Sequence, residues 1–298
     1  MGPNAVRMLR LLGLAIAAAA LLLLPSSAFA KQHANHRGHH FRHHDGDHHG
    51  FAGGAVYTTT NDPSGNAVIV FKRNRDGSLT QGPTVPTGGT GIAAQPPFTF
   101  PIVDSQDSIA LARDGRLLFV VNDGDNTITS FRTTGSGLKR VARVSSGGLL
   151  PVSLTTHGHL LYVVNEVSSN IGGFYFSDDG RLWSIPGSSQ ALSPLFPSSP
   201  TAVGGVAADI GFTPDGSQLV VTERGVPQTT GAIDTFKVNP DGSASPEQSL
   251  TGAGVDPNPF GFAFTRSGSL LVSNVGQVNG RSTTRRVARR SWRRLRRS

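Results

Sequence analysis

The chain has 298 residues, the length of one large domain or two small ones, with 37 Gly, 19 Pro, few aromatic and charged residues and no cysteine. That profile suits short strands joined by many turns and argues against helical bundles; the missing cysteines exclude thiol catalysis, Cys-based zinc sites and iron–sulfur clusters. The formal charge of +8 is local: the stretch from Arg281 to Ser298 carries nine arginines and no acid, and without it the body is near neutral and lacks the clustered basic face that specific nucleic-acid binding needs.

In chain order, the first element is an export signal. Arg7 and Arg10 precede an unbroken apolar run from Leu11 to Leu24, and Pro25-Ser26-Ser27-Ala28-Phe29-Ala30 places small residues at −3 and −1 of a cut after Ala30. This is the three-part pattern of a secretory signal peptide; the run is shorter than the roughly 18–20 residues of a bilayer-spanning helix. Residues 1–30 are therefore read as a signal peptide, and the mature protein is expected to be secreted or extracytoplasmic, with no transmembrane segment after cleavage.

Residues 31–50 follow as a leader holding eight of the ten histidines. With no apolar period it cannot bury a face, so it is expected to be a disordered linker. Its imidazoles, His39, His40, His43, His44, His48 and His49 among them, could bind Zn, Cu or Ni weakly and without fixed geometry. A plain polar linker is the simpler reading, and no cofactor is required.

From residue 51 to 280 one phrase recurs. Copies begin at Ala55, Ser108, Val152, Asp209 and Phe260, the first incomplete. In the later four a short strand leads to a tight turn at Asp114-Gly115, His157-Gly158, Asp215-Gly216 or Ser267-Gly268, where Gly tolerates the positive φ of two-residue hairpins. A dense apolar strand comes next, at Leu117 to Val121, Leu160 to Val164, Leu219 to Val221 and Leu270 to Val272. So short an apolar run suits a strand covered on both faces. In four copies a third strand ends in Phe71, Phe131, Phe176 or Phe236, and Asp-Gly turns at 76, 179 and 241 lead to an outer strand. Units of three to four antiparallel strands predict an all-β chain, a β-propeller of four-stranded antiparallel blades with about five blades' worth present. A β-sandwich would explain the strands but not the repetition.

The phrases Leu117-LFVVN-Asp123, Leu160-LYVVNE-Val167 and Thr213-PDGSQLVVTE-Arg224, with Gly147-Gly148 before Pro151-Val152-Ser153, resemble the lactonase-type seven-bladed propeller family, which includes 6-phosphogluconolactonase and carboxymuconate cyclase. The resemblance covers roughly residues 51–280. It implies a ligand site where loops of several blades converge, with an Arg before one strand and a Glu in an Asn-Glu step after the next. Asn165-Glu166 matches that step. The Arg position falls near Val152, and the family's His-bearing segment falls on Ser105-Gln106-Asp107-Ser108, so both are missing. Glu166 is the candidate base, with a solvent-facing turn residue as the alternative. Glu223 and Arg224 occupy the equivalent step one repeat later and could contact an anionic ligand or pair with each other. His157 and His159 flank a hairpin glycine and read as turn residues.

Two functions are expected from this. The first is a non-catalytic or degenerate binding or scaffold module, taking a small-molecule ligand or a cell-envelope component. The alternative is a lactone hydrolase or cycloisomerase acting on a small carboxylated lactone, with Glu166, Glu223 and Arg224 at the site. A phosphorylated lactone fits poorly, since a phosphate ester calls for Arg or Lys in the pocket.

After Val275 the alternating pattern vanishes and residues 281–298 become Arg-rich. A frame shift or truncation, a genuine tail that binds polyanions, and a ring closed with fewer blades are the three readings. The first is preferred because the pattern fails in mid-blade, and the tail is expected to lie outside the fold.

Overall fold

A computed structural model describes residues 54–93, 105–112, 115–135, 137–192, 207–225, 231–251, 258–265, 267–274 and 284–286. Residues 1–30, read above as a signal peptide, the histidine leader with its candidate metal ligands, and most of the Arg-rich tail lie outside them. Among the described residues no helix is long and apolar enough to cross a membrane.

Among the described residues every element is a strand, and the strands form five antiparallel sheets in chain order. The first is β1 (Ala55–Thr59), β2 (Ala67–Arg73) and β3 (Leu79–Pro86); the second is β4 (Ile109–Ala112), β5 (Leu117–Asn122), β6 (Thr127–Thr134) and β7 (Gly137–Ser145). In the third, β8 (Pro151–His157), β9 (Leu160–Asn165), β10 (Asn170–Phe176) and β11 (Leu182–Ser184) pair in sequence, and a two-residue β12 (Gln190–Ala191) joins β10. The fourth is β13 (Ala207–Phe212), β14 (Gln218–Glu223), β15 (Ala232–Lys237) and β16 (Gln248–Thr251), and the fifth is β17 (Pro259–Phe264), β18 (Leu270–Asn274) and β19 (Thr284–Arg286). Each is a meander of consecutive strands, the form of a propeller blade.

The apolar runs are explained by what lies on either side of them. In β9, Leu161 and Val163 pack with Leu117, Phe119 and Val121 of the second sheet, whereas Tyr162 and Val164 pack with Ile210, Leu219 and Val221 of the fourth. Leu118 and Val120 turn the other way, toward Val68 of the first sheet, and Val220 meets Leu270 and Val272 of the fifth. Because side chains alternate across a strand, a strand between two sheets must be apolar at every position. The turns repeat as well: at Asp76, Asp215 and Asp241 the carboxylate accepts both the backbone N–H and the hydroxyl of the serine two residues on, across a glycine at positive φ.

The tail contributes to the fifth sheet. The backbone of Thr284–Arg286 pairs antiparallel with β18, inside the stretch expected to lie outside the fold. An outermost strand needs only backbone pairing on its inner side, so it tolerates a sequence without apolar alternation.

The first and second sheets are clamped by close backbone approach. Gly91 N–H donates to the Asp62 carbonyl and Gly124 N–H to the Thr90 carbonyl. A Cβ on Gly91 would lie 2.2 Å from the carbonyl carbon and oxygen of Asn61. Gly91→Ala is therefore expected to destabilise the protein by about 1–3 kcal/mol, the usual cost of overpacking, read as a lowered midpoint in urea at an unchanged m-value.

Candidate functional site

The first strands of successive sheets, β4, β8, β13 and β17, neighbour one another, and the register of β8, β13 and β17 breaks at one station. The shifts fall between Pro151 and Ser153, between Ala207 and Asp209, and between Pro259 and Phe262. A bulge re-aims the side chains beside it. Here the three bulges bring Ser153, Asp209 and the Gly261-Phe262 backbone together. Asp209 Oδ1 accepts from Ser153 Oγ at 3.2 Å, Asp209 Oδ2 accepts from Phe262 N–H at 3.1 Å, and Ser153 Oγ accepts from Ile210 N–H at 3.2 Å.

The segment leading into β4 completes the site from the second sheet. Gln106 N–H donates to the Ala208 carbonyl, the Asp107 carbonyl accepts from Leu154 N–H, and Ser105 Oγ donates to the Val152 carbonyl. These bonds stretch Ser105, Gln106 and Asp107 across the third and fourth sheets and hold Asp107 at φ +52°. Gln106 reaches the fifth sheet, where Gly261 makes room: a Cβ there would lie 2.8 Å from Gln106 Cγ. The result is a cavity of about 360 Å³ whose polar lining comes from Gln106, Asp107, Asp209 and Ser273, and whose apolar wall includes Phe262 and Leu271.

Its electrostatics are acidic. Burial pushes the Asp209 carboxyl up to about 7, and the Asp107 charge adds to the rise against the opposing hydrogen bonds from Phe262 and Ser153. Asp107 is itself raised by desolvation. No Lys, Arg or His is among the described lining residues. A carboxyl that titrates near 7 beside a polar cavity has the properties of a general base.

The residues expected from the sequence lie at the same end of the sheets but outside this cavity. Glu166 follows β9, whose last residue Asn165 pairs with Pro151; it is 8% exposed, so the solvent-facing alternative does not hold. Glu223 ends β14 opposite Ala207 and is 2% exposed. It belongs to an acidic cluster with Asp234 and Glu247, in which burial first, then the neighbouring carboxylates, push Glu223 and Asp234 upward. A surface pair with Arg224 is therefore not its setting; the Arg224 guanidinium lies 5.8 Å from the centre of the Phe260 ring. Val152, at the position where the resemblance puts an Arg, is 3% exposed in the core between the third and fourth sheets. His157 packs on Phe212, and His159 Nδ1 lies 2.8 Å from the Phe176 carbonyl oxygen, both structural contacts. Sequence reasoning missed Asp209 as a site residue; its signal was a carboxylate inside a strand, Ala207–Phe212, that is otherwise apolar.

Comparison with known proteins places the fold. The family described as "Lactonase, 7-bladed beta-propeller" matches over residues 39–195 and 152–283. A 6-phosphogluconolactonase of Yersinia enterocolitica is 27% identical over 135 residues, which are 41% of this chain and 37% of that protein, so the match spans well under half of the relative. Among solved structures, a protein from Lactobacillus plantarum aligns with a TM-score of 0.53 at 20% identity, covering 78% of this chain and 68% of the other. The periplasmic gluconolactonase of Pseudomonas aeruginosa aligns with a TM-score of 0.52 at 22% identity, covering 78% and 69%. At such identities the structural likeness speaks for the fold, and with the family match over most of the sequence, the chain belongs to the lactonase family of seven-bladed β-propellers.

Proposed function

We propose that the protein is a lactone hydrolase whose general base is Asp209. The observation that carries the reading is the bulge-built cavity, where a buried carboxyl raised to about 7 is held by Ser153 and the Phe262 N–H beside Asp107. In the proposed reaction the Asp209 carboxylate takes a proton from water as the hydroxide adds to the lactone carbonyl carbon. The side-chain amide of Gln106 is placed to donate to the developing oxyanion. The tetrahedral intermediate then expels the ring oxygen, its C–O bond breaks, and Asp209 returns the proton to the departing alkoxide, leaving a hydroxy acid. Family membership supports the reaction class, and the names of the two gluconolactone-acting relatives point to sugar lactones. The signal pattern of residues 1–30 supports action outside the cytoplasm.

Because the base must be ionised in the free enzyme, kcat/KM for a sugar lactone is expected to rise as pH increases through about 7 and to level off above it. A pH-stat assay, corrected for spontaneous hydrolysis, reads this directly; a flat profile from pH 5 to 8 would remove Asp209 from the role. Glu166→Gln, outside the cavity, is expected to lower the rate by about tenfold or less, below the range for loss of a general base. A larger loss would move the base to Glu166. The non-catalytic reading rests on the missing Arg, with apolar Val152 where the resemblance puts it, and on the missing His in Ser105-Gln106-Asp107-Ser108, and gains if lactones bind the cavity without turnover.

A further inference from the structure

We propose that Asp107 is a specificity-determining residue that makes the cavity selective for uncharged polyhydroxylated lactones over lactones bearing a phosphate or carboxylate. The proposal deepens the lactonase reading and rests on it. A phosphate-bearing ligand calls for Arg or Lys donors, and the described lining instead offers two carboxylates, an amide and the Ser273 hydroxyl around apolar walls. Asp209 and Asp107 both face the same 360 Å³ space, so an anionic substituent there meets like charge with no counter-charge among the described lining groups, at a site where desolvation strengthens the repulsion. Hydroxyls, by contrast, find acceptors in the two carboxylates and a donor in Gln106.

The backbone at Asp107 argues that its placement is built. A non-glycine residue at φ +52° is uncommon. It is held here because its own carbonyl is bonded to Leu154 N–H, while the amide of Gln106 is bonded to the Ala208 carbonyl and the Ser108 carbonyl accepts from Val121 N–H. Three sheets thus fix the one segment that carries the second carboxylate. Arg224, a cation at this end of the fourth sheet, sits against Phe260 and is not among the lining residues.

The test is equilibrium binding by calorimetry, using gluconolactam and gluconolactam 6-phosphate as stable stand-ins for the neutral and phosphorylated lactones. The parent protein is expected to bind the neutral lactam at least about tenfold more tightly, by the scale of one like-charge contact. Asp107→Asn keeps the shape and tolerates positive φ, and is expected to narrow that ratio to about threefold or less, chiefly by tightening the phosphorylated lactam. A merely structural Asp107 would weaken both ligands alike. Equal or tighter binding of the phosphorylated lactam by the parent, an unchanged ratio in Asp107→Asn, or binding of neither lactam overturns the proposal. Discrimination in binding without turnover of any lactone leaves the proposal standing and overturns the lactonase reading instead.

Discussion

Replacing Asp209 by asparagine is expected to lower lactone hydrolysis by about 100-fold to 10,000-fold, the contribution of a positioned general base, while raising the melting temperature at pH 8. The two effects have one cause. At pH 8 the Asp209 carboxyl, raised to about 7 chiefly by burial, is ionised in a setting that penalises the charge. An asparagine there keeps an acceptor for Phe262 N–H and a contact with Ser153 Oγ, both now made by Asp209, without the charge. A variant that loses activity and stability together would mean that Asp209 is a structural tie between sheets and not a base. Loss of activity with gained stability is the signature of a residue kept for chemistry against the interest of the fold.

The second large effect concerns pH. Asp123 and Asp209 are both pushed up to about 7 by burial; Glu223 is raised by burial and then by Glu247, and Asp234 by burial and then by Glu223 and Glu247. In the unfolded chain such carboxyls ionise near 4. Between about pH 4 and 7 the folded protein therefore holds protons that the unfolded chain has released, so stability is greatest toward the acid end of that window and falls as pH rises through it. Each retained proton contributes about 1.4 kcal/mol per pH unit at most, so several such groups amount to a few kcal/mol, or a fall of about 5 °C or more in melting temperature from pH 5 to pH 8. Below pH 4 the trend reverses, because the turn carboxylates of Asp62, Asp76, Asp179 and Asp241 are held below their usual range by serine hydrogen bonds, and protonation removes those bonds. Calorimetric scans across pH 3 to 8 check both limbs; a melting temperature that rises steadily from pH 5 to 8 would mean the buried acids are ionised and compensated in the fold.

The strands were legible in the sequence because a sheet packed on both faces leaves an unbroken apolar run, as in Leu160 to Val164, and because each hairpin needs its glycine, as at Gly158 and Gly216, both at positive φ. The two-residue β12 and the pairing of Thr284–Arg286 were not, since neither carries a side-chain period. The site was legible only in outline. The Asn-Glu step at Asn165-Glu166 pointed to the correct end of the sheets, but the cavity is assembled from Asp107, Ser153, Asp209 and Phe262, whose convergence depends on bulges at three strand starts. A bulge shifts the phase of a strand by one residue, and the alternation that reveals strands gives no sign of where such a shift falls. The absence of Arg at 152 and of His in Ser105–Ser108 reads as a vacancy in the sequence, whereas in the structure Asp107 from that same segment reaches the cavity.

The two-sided strands also bear on how this sequence can change. In β9, Leu161 faces the second sheet and Tyr162, whose hydroxyl donates to the Gly242 carbonyl at 2.6 Å, faces the fourth. Adjacent residues in the chain thus answer to different neighbours, and a drift in one interface places no demand on the next residue along. Each pair of sheets can be rewritten as a separate lock, with odd and even positions of one strand cut for different keys, while the backbone that joins them stays the same.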